Sequence, residues 1–169
     1  ESSEKKEIRI YQCVKFPFEW KLKKVLFKNL NAVDPMIFKN KGIWWLFFNS
    51  KNNFENDYSK LNIYFNKENP LSSKWKKSGI KSLNDLKLGR NGGILNFKKN
   101  QYRITQNESY FFYGKSLSIN QILKLTTSEY KEKKVKKIEP RKFNNNNILG
   151  VHHLNNNNNL VCYDTLEIK

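Results

Sequence analysis

The chain has 169 residues, 38% hydrophobic and 14% aromatic, with a net charge of +17. Aromatic content this high excludes a disordered chain, because enough apolar surface is available to offset the entropy of ordering. The longest apolar run, Ile43 to Phe48, is six residues, far short of the about 20 needed by a membrane-spanning helix. The polar start, Glu1-Ser2-Ser3-Glu4-Lys5-Lys6-Glu7, does not read as a signal peptide. Two cysteines, Cys13 and Cys162, supply neither a disulfide framework nor a four-thiolate zinc site. They read as buried free thiols.

In chain order, the apolar segments are short, aromatic and β-branched, with Asn, Gly, Pro or Lys between them. They are Ile8–Tyr11, Met36–Phe38, Trp44–Phe48, Leu61–Phe65, Gly93–Leu95, Tyr110–Tyr113 and Leu160–Tyr163. Each has strand length, and helical periodicity is scarce. Ser118–Leu125 fits a strand or a helical turn. The Asn tracts 144–147 and 155–159 read as polar loops, since Asn side chains compete for backbone hydrogen bonds and favour turns. The predicted class is therefore all-β.

The strands repeat. Ile10-Tyr11, Pro17 and Trp20 recur in the same order as Ile63-Tyr64, Pro70 and Trp75. Ile37 to Leu46 recurs as Leu95 to Ile104 at a similar displacement. A third, degraded copy runs from His152 through an Asn-filled turn to Cys162. A period of roughly 55 residues with several short strands per unit suits the four-stranded blades of a β-propeller. The aromatic pairs Trp44-Trp45 and Phe47-Phe48 would then pack between blades. At roughly 55 residues per blade the chain supplies about three, whereas closed propellers need four to eight. The expectation is a single partial propeller domain over 1–169. Residues 1–30 end one blade and begin the next, 31–88 and 89–143 form two blades, and 144–169 an incomplete one.

The positive charge has two readings. Alone it points to a polyanion or an anionic membrane surface. Yet 28 of the 32 cations are Lys, and the chain holds 25 Asn with a single Ala. Nucleic-acid readers favour Arg for bidentate contacts, so the skew argues for Lys and Asn filling a solvated surface, and no specific nucleic-acid partner is expected. The run Lys131 to Lys137 is read in the same way. Asn107-Glu108-Ser109 is a glycosylation sequon, of a kind that arises by chance in an Asn-rich chain.

The segments Ile8–Tyr11, Phe16–Leu22, Asn31–Phe38 and Gly42–Phe48 resemble the N-terminal domain of the glucosamine inositolphosphorylceramide transferase family. Further matches are Arg90–Gly93, Tyr102–Asn107, Tyr113-Gly114, Leu125–Tyr130 and Gly150–Leu154. That domain is similar to the five-bladed propellers of arabinanases, levansucrases and invertases. The resemblance implies a partial five-bladed propeller lacking its first two blades, and a transferase domain elsewhere in a full-length protein. It implies a carbohydrate- or glycolipid-associated module of a glycosyltransferase-type protein, binding or accessory rather than catalytic alone. Its setting would be Golgi or endomembrane if the transferase relationship holds, and cytoplasmic otherwise. The alternatives are a glycoside-hydrolase-like fragment and a basic polyanion-binding module.

In a propeller the start of each inner strand faces the axial funnel. Asp34, Arg90 and His153 lie about one repeat apart and occupy comparable places in three successive units. A carboxylate, a guanidinium and an imidazole there could bind a polyhydroxylated or phosphorylated ligand. Asp34 is the catalytic candidate, although Asp-Pro is also a turn starter. Arg90, Arg103, Gln106, His152 and His153 are ligand-binding candidates. Arg103 and Gln106 are placed on a strand end, as support more than contact. Adjacent strand residues face opposite sides, so only one histidine would serve the site. Glycoside hydrolysis needs two carboxylates at a set separation, and only Asp34 matches. No metal site or cofactor is expected.

Overall fold

The computed structural model describes residues 5–51, 58, 60–80, 88–109, 112–143, 147–157 and 160–167. These residues form an all-β chain with no α-helix among them. The chain divides into two units, Glu1–Ser78 and Gly79–Lys169.

The first unit begins with a hairpin of β1 (Ile8–Lys15) and β2 (Glu19–Phe27). Its turn, Phe16-Pro17-Phe18, contains a cis Phe16–Pro17 peptide. A four-stranded antiparallel meander follows: β3 (Ala32–Asn40), β4 (Ile43–Ser50), β5 (Lys60–Asn66) and β6 (Lys76–Lys77), in that spatial order. Lys41 (φ 47°) and Gly42 (φ 81°) join β3 to β4. Two consecutive left-handed residues make the tight turn whose twist matches that of the strands it joins.

Strand β4 is an inner strand of this sheet, and side chains on both its faces are buried. Trp45, Leu46, Phe47 and Phe48 are all buried. Leu46 and Phe48 belong to a core with Ile8 and Ala32, against which Leu26, Phe27 and Tyr64 pack. The Phe48 ring lies 6.5 Å from Phe27 and 5.5 Å from Tyr64. On the opposite face Phe47 meets Phe38 edge-on at 5.1 Å. Thus alternation along β4 divides its aromatics between two faces, and Phe48 joins the root of the hairpin to the sheet.

The second unit contains another four-stranded antiparallel meander: β7 (Asn91–Phe97), β8 (Asn100–Ser109), β9 (Phe112–Leu125) and β10 (Tyr130–Ile138). Ser118–Leu125 is strand throughout. Its neighbours fix that choice: Ser118 pairs with Thr105 on one side and with Lys137 on the other. Strand β10 forms an edge, where Lys131, Lys133, Lys134, Lys136 and Lys137 are exposed. Lysine on an edge strand discourages pairing with another chain.

A 3-10 turn (Pro140–Phe143) then leads to β11 (Ile148–Gly150), β12 (Leu154–Asn157), β13 (Leu160–Tyr163) and β14 (Leu166–Glu167). β11 pairs with β14, and β12 with β13. Asn155, Asn156 and Asn157 are therefore strand residues rather than loop, opposite Cys162, Val161 and Leu160. Pairing with β13 fixes the strand even though Asn155 Oδ1 still accepts the Asn156 N–H at 3.1 Å, and Asn156 also bonds the Asn96 backbone at both ends of its amide. Asn144–Asn146, Asn158 and Asn159 lie outside the described residues, as does Glu1.

The core of this unit is Ile104, Leu117, Val151 and Leu154, with Leu95, Ile119 and Ile138 against it. Neither cysteine is the buried thiol expected. Cys162 is exposed and Cys13 half-buried, because each lies on a strand of a two-stranded sheet. Within the glycosylation sequon, the Asn107 amide donates to Ser116 Oγ at 3.1 Å and accepts from Ser118 Oγ at 2.9 Å.

Candidate functional site

Arg103 is mid-strand on β8, not at a strand end. It pairs with Ile94 and Asn120, and its side chain has no exposed surface. Its guanidinium is held on four sides. Nε donates to Asn91 Oδ1 (2.8 Å), one terminal nitrogen to Leu88 O and Glu132 Oε1 (both 2.8 Å), and the other to Gly89 O (2.7 Å). A buried cation requires such compensation, since an unpaired charge would cost several kcal/mol. Tyr130 completes the group by donating to Glu132 Oε2 at 2.5 Å. Burial first, with the Glu132 charge adding, raises the Tyr130 phenol well above its usual range, against the opposing Arg103 charge.

This network grips the backbone around Arg90. Gln106, also on β8, adds two bonds: its backbone N–H to Arg90 O (2.9 Å) and its amide Nε2 to Asn91 O (2.6 Å). Gln106 Oε1 is buried without a hydrogen-bond partner. Arg90 itself is half-buried and immediately precedes β7.

His152 and His153 lie in the connection between β11 and β12, outside any strand. The strand rule that separates neighbouring side chains thus does not govern them. Asp164, between β13 and β14, accepts both of their backbone N–H groups on Oδ1, at 3.1 and 2.8 Å. Its other oxygen pairs with His152 Nδ1. Burial pushes the Asp164 carboxyl up, but bonds from the His152 ring and from the His152 and His153 amides outweigh it, and its pKa falls below the usual value.

A cavity of about 240 Å³ adjoins this pair, lined by Gly114, Gly150, Val151, His152, Asp164, Thr165 and Leu166. Its glycines permit close approach of the chain. A Cβ on Gly114 would be 2.9 Å from His152 Cβ, and one on Gly150 would be 2.7 Å from Gly114 O. Val151 donates to Gly114 O at 2.7 Å, which closes one wall. Both His152 (36% exposed) and Asp164 (39% exposed) remain reachable from solvent. An imidazole and a carboxylate beside a small cavity can accept and donate hydrogen bonds to hydroxyl groups. Asp164 escaped the sequence reading; its only local signal is a turn-forming residue just after a strand.

Asp34 belongs to the first unit. It is half-buried within β3 and adopts a left-handed φ of 52°. The β3–β4 register shifts there, between Val33 and Met36. The residue therefore marks a bulge inside the strand rather than a turn before it. Bulges re-aim side chains, and Asp is among the few residues that tolerate this φ. The β7–β8 pair carries the matching irregularity between Asn91 and Gly93. Counted from the hairpin ends Asn40–Ile43 and Phe97–Asn100, Met36–Phe47 corresponds to Gly93–Ile104, so Asn91 takes the place of Asp34, Arg90 that of Val33, and Gly92-Gly93 that of Pro35-Met36. Glycine is required there: a Cβ on Gly92 would lie 2.9 Å from His152 O, and one on Gly93 2.2 Å from Leu154 O.

Among the described residues, no group of three or more His, Cys, Asp or Glu is placed to hold a metal ion. No solved structure matches the chain. The family described as glucosamine inositolphosphorylceramide transferase 1, N-terminal, matches residues 1–162. The chain belongs to this family. Among curated relatives, glucosamine inositolphosphorylceramide transferase 1 of Oryza sativa subsp. japonica is 37% identical over 138 residues, 78% of this chain. The protein of that name from Arabidopsis thaliana is 31% identical over 140 residues, 80% of this chain. In both, the match covers 18% of the relative's length.

Proposed function

We propose that this chain is a sugar-recognising accessory part of a glycolipid glycosyltransferase, built as blades of a five-bladed propeller and completed by further domains. The observation that carries the reading is family membership across residues 1–162, since the relatives are named for transfer to inositolphosphorylceramide. Two four-stranded meanders with matching bulges support blades over 31–88 and 89–143; residues 144–169 would begin a third. The His152–Asp164 pair and its cavity provide the polar contacts for a hydroxylated ligand, with Arg90 of the same unit as a further candidate; Asp34, in the first unit, is a candidate in its own right. Gln106 serves by holding the Arg90 carbonyl, and Arg103 by holding the residues on either side of it. His153 contributes mainly through its backbone.

The test is calorimetric titration of the chain with glucosamine, inositol phosphate and a nucleotide sugar, repeated on His152→Gln and Asp164→Asn. Saturable binding to at least one ligand, weakened about tenfold or more by either substitution, is the expected result; a lost hydrogen bond to a charged group has that magnitude. Absence of binding to all three, or binding indifferent to both substitutions, would overturn the reading.

A further inference from the structure

The β1–β2 hairpin is anchored at one end only. Its root, Ile8 with Leu26 and Phe27, is in the core of the first unit. Beyond the root its register sorts side chains by face. Tyr11 lies opposite Leu22 and Cys13 opposite Trp20, so Tyr11, Trp20 and Leu22 share one face, and each is about half exposed. Gln12 lies opposite Lys21 on the second face, and Lys23 is the extra residue where the register shifts between Ile10 and Tyr11. The turn carries the most exposed aromatics described, Phe18 at 86% and Phe16 at 66%. Phe18 N–H donates to Lys15 O at 2.9 Å and the Trp20 indole to Pro17 O at 2.8 Å, so the aromatic apex has a defined geometry.

Between Ile8 and Phe27 there are five cations and one acid. Lys24 is committed to the Leu71 carbonyl. Glu19 meets Lys21 at 3.4 Å with both exposed, a contact too weak to neutralise the group. Lys15 and Lys23 are exposed beside the apolar face and apex.

We propose that this hairpin docks on an anionic lipid surface. Aromatic rings enter the headgroup boundary, where their amphipathic bodies are favoured. The lysines lie at the level of the acidic headgroups, each strengthening attachment. The charge is complementary to such a surface. A protruding apex also suits a deformable lipid boundary, whereas a protein partner would have to offer a groove shaped to it.

The test is flotation of the full chain with two kinds of vesicle. One is phosphatidylcholine alone; the other is phosphatidylcholine mixed with phosphatidylserine, the anionic lipid of a charged leaflet, in a ratio of roughly two to one. The wild type floats with the anionic vesicles, less as salt rises. The F16S/F18S double variant loses roughly tenfold or more of the partitioning, and K15Q/K21Q/K23Q loses at least as much. W20F still binds but loses the vesicle-induced shift in tryptophan emission, which places contact at this hairpin. Unchanged circular dichroism of the variants keeps folding out of the result. Equal binding to neutral vesicles, no binding to anionic ones, or full binding by both multiple variants would overturn the proposal. So would F16S/F18S altering only self-association, which would make the face a protein interface.

Discussion

Arg103 on β8 and Glu132 on the edge strand β10 meet at 2.8 Å with the arginine wholly enclosed and the carboxylate nearly so. They are distant in sequence and are brought together across β9, which lies between their strands. One guanidinium thereby ties the outer strand of this sheet to the loop before its first strand, through Leu88 O and Gly89 O.

Breaking this pair from one side strands a buried charge. R103M is expected to lower unfolding free energy by about 3–5 kcal/mol, and E132Q by a comparable amount. R103K keeps the charge but not the fork that reaches four acceptors at once, so it rescues little. Urea unfolding of the single variants and of R103M/E132Q closes a double-mutant cycle. The double variant should cost less than the sum of the singles.

Asp164 makes stability depend on acid. Its folded pKa is depressed from the usual 3.8, with bonds from His152 and His153 overcoming the effect of burial. Its contribution is therefore complete above pH 3.8, and it is lost as pH falls through the lower folded value. Partial exposure limits its size. Asp164→Asn should flatten the acid side of the stability-against-pH curve. Thermal unfolding from pH 2 to pH 7 measures the difference.

Two glycines in bulge and turn positions make a contrasting pair. Gly93→Ala places a Cβ 2.2 Å from Leu154 O at a φ of 128°, and should destabilise by roughly 2–4 kcal/mol through steric and backbone strain. Gly42→Ala meets nothing within 4 Å, so only its left-handed φ is penalised, at about 1 kcal/mol. Chemical denaturation of the two variants side by side checks the ranking.

Phe48→Ala removes a ring that joins the hairpin root to the first sheet. The expected loss is about 3–5 kcal/mol. Phe16→Ala, at an exposed turn, should change stability by less than about 0.5 kcal/mol. Chemical denaturation compares the two. If the losses were equal, the hairpin apex would be packed rather than free.

Much of the local structure was legible. Short aromatic and β-branched runs with Asn, Gly, Pro or Lys between them marked the strands, because such signals depend on neighbours along the chain. Asp34 stood out by its place in the repeat, and Arg103 as a supporting residue. The site was less legible because its contacts depend on register. Asp164 reaches back to His152 from beyond β13, and Glu132 reaches Arg103 across an intervening strand. Neither spacing has a periodicity of its own. The Asn tract at 155–157 was misread for the same reason: pairing with β13 overrides its local turn preference.

The amino-acid sequence by itself determined the all-β class, the repeating strand units and the family, the first through short-range pattern and the other two through the order and spacing of segments along the chain. Only the tertiary structure decided that Arg103 is enclosed, that Asp164 joins both histidines, and that Asn91 takes the place of Asp34 in the second sheet. Those outcomes turn on which strands pair and where a bulge shifts them, and a shift of one residue reverses the face of every side chain beyond it.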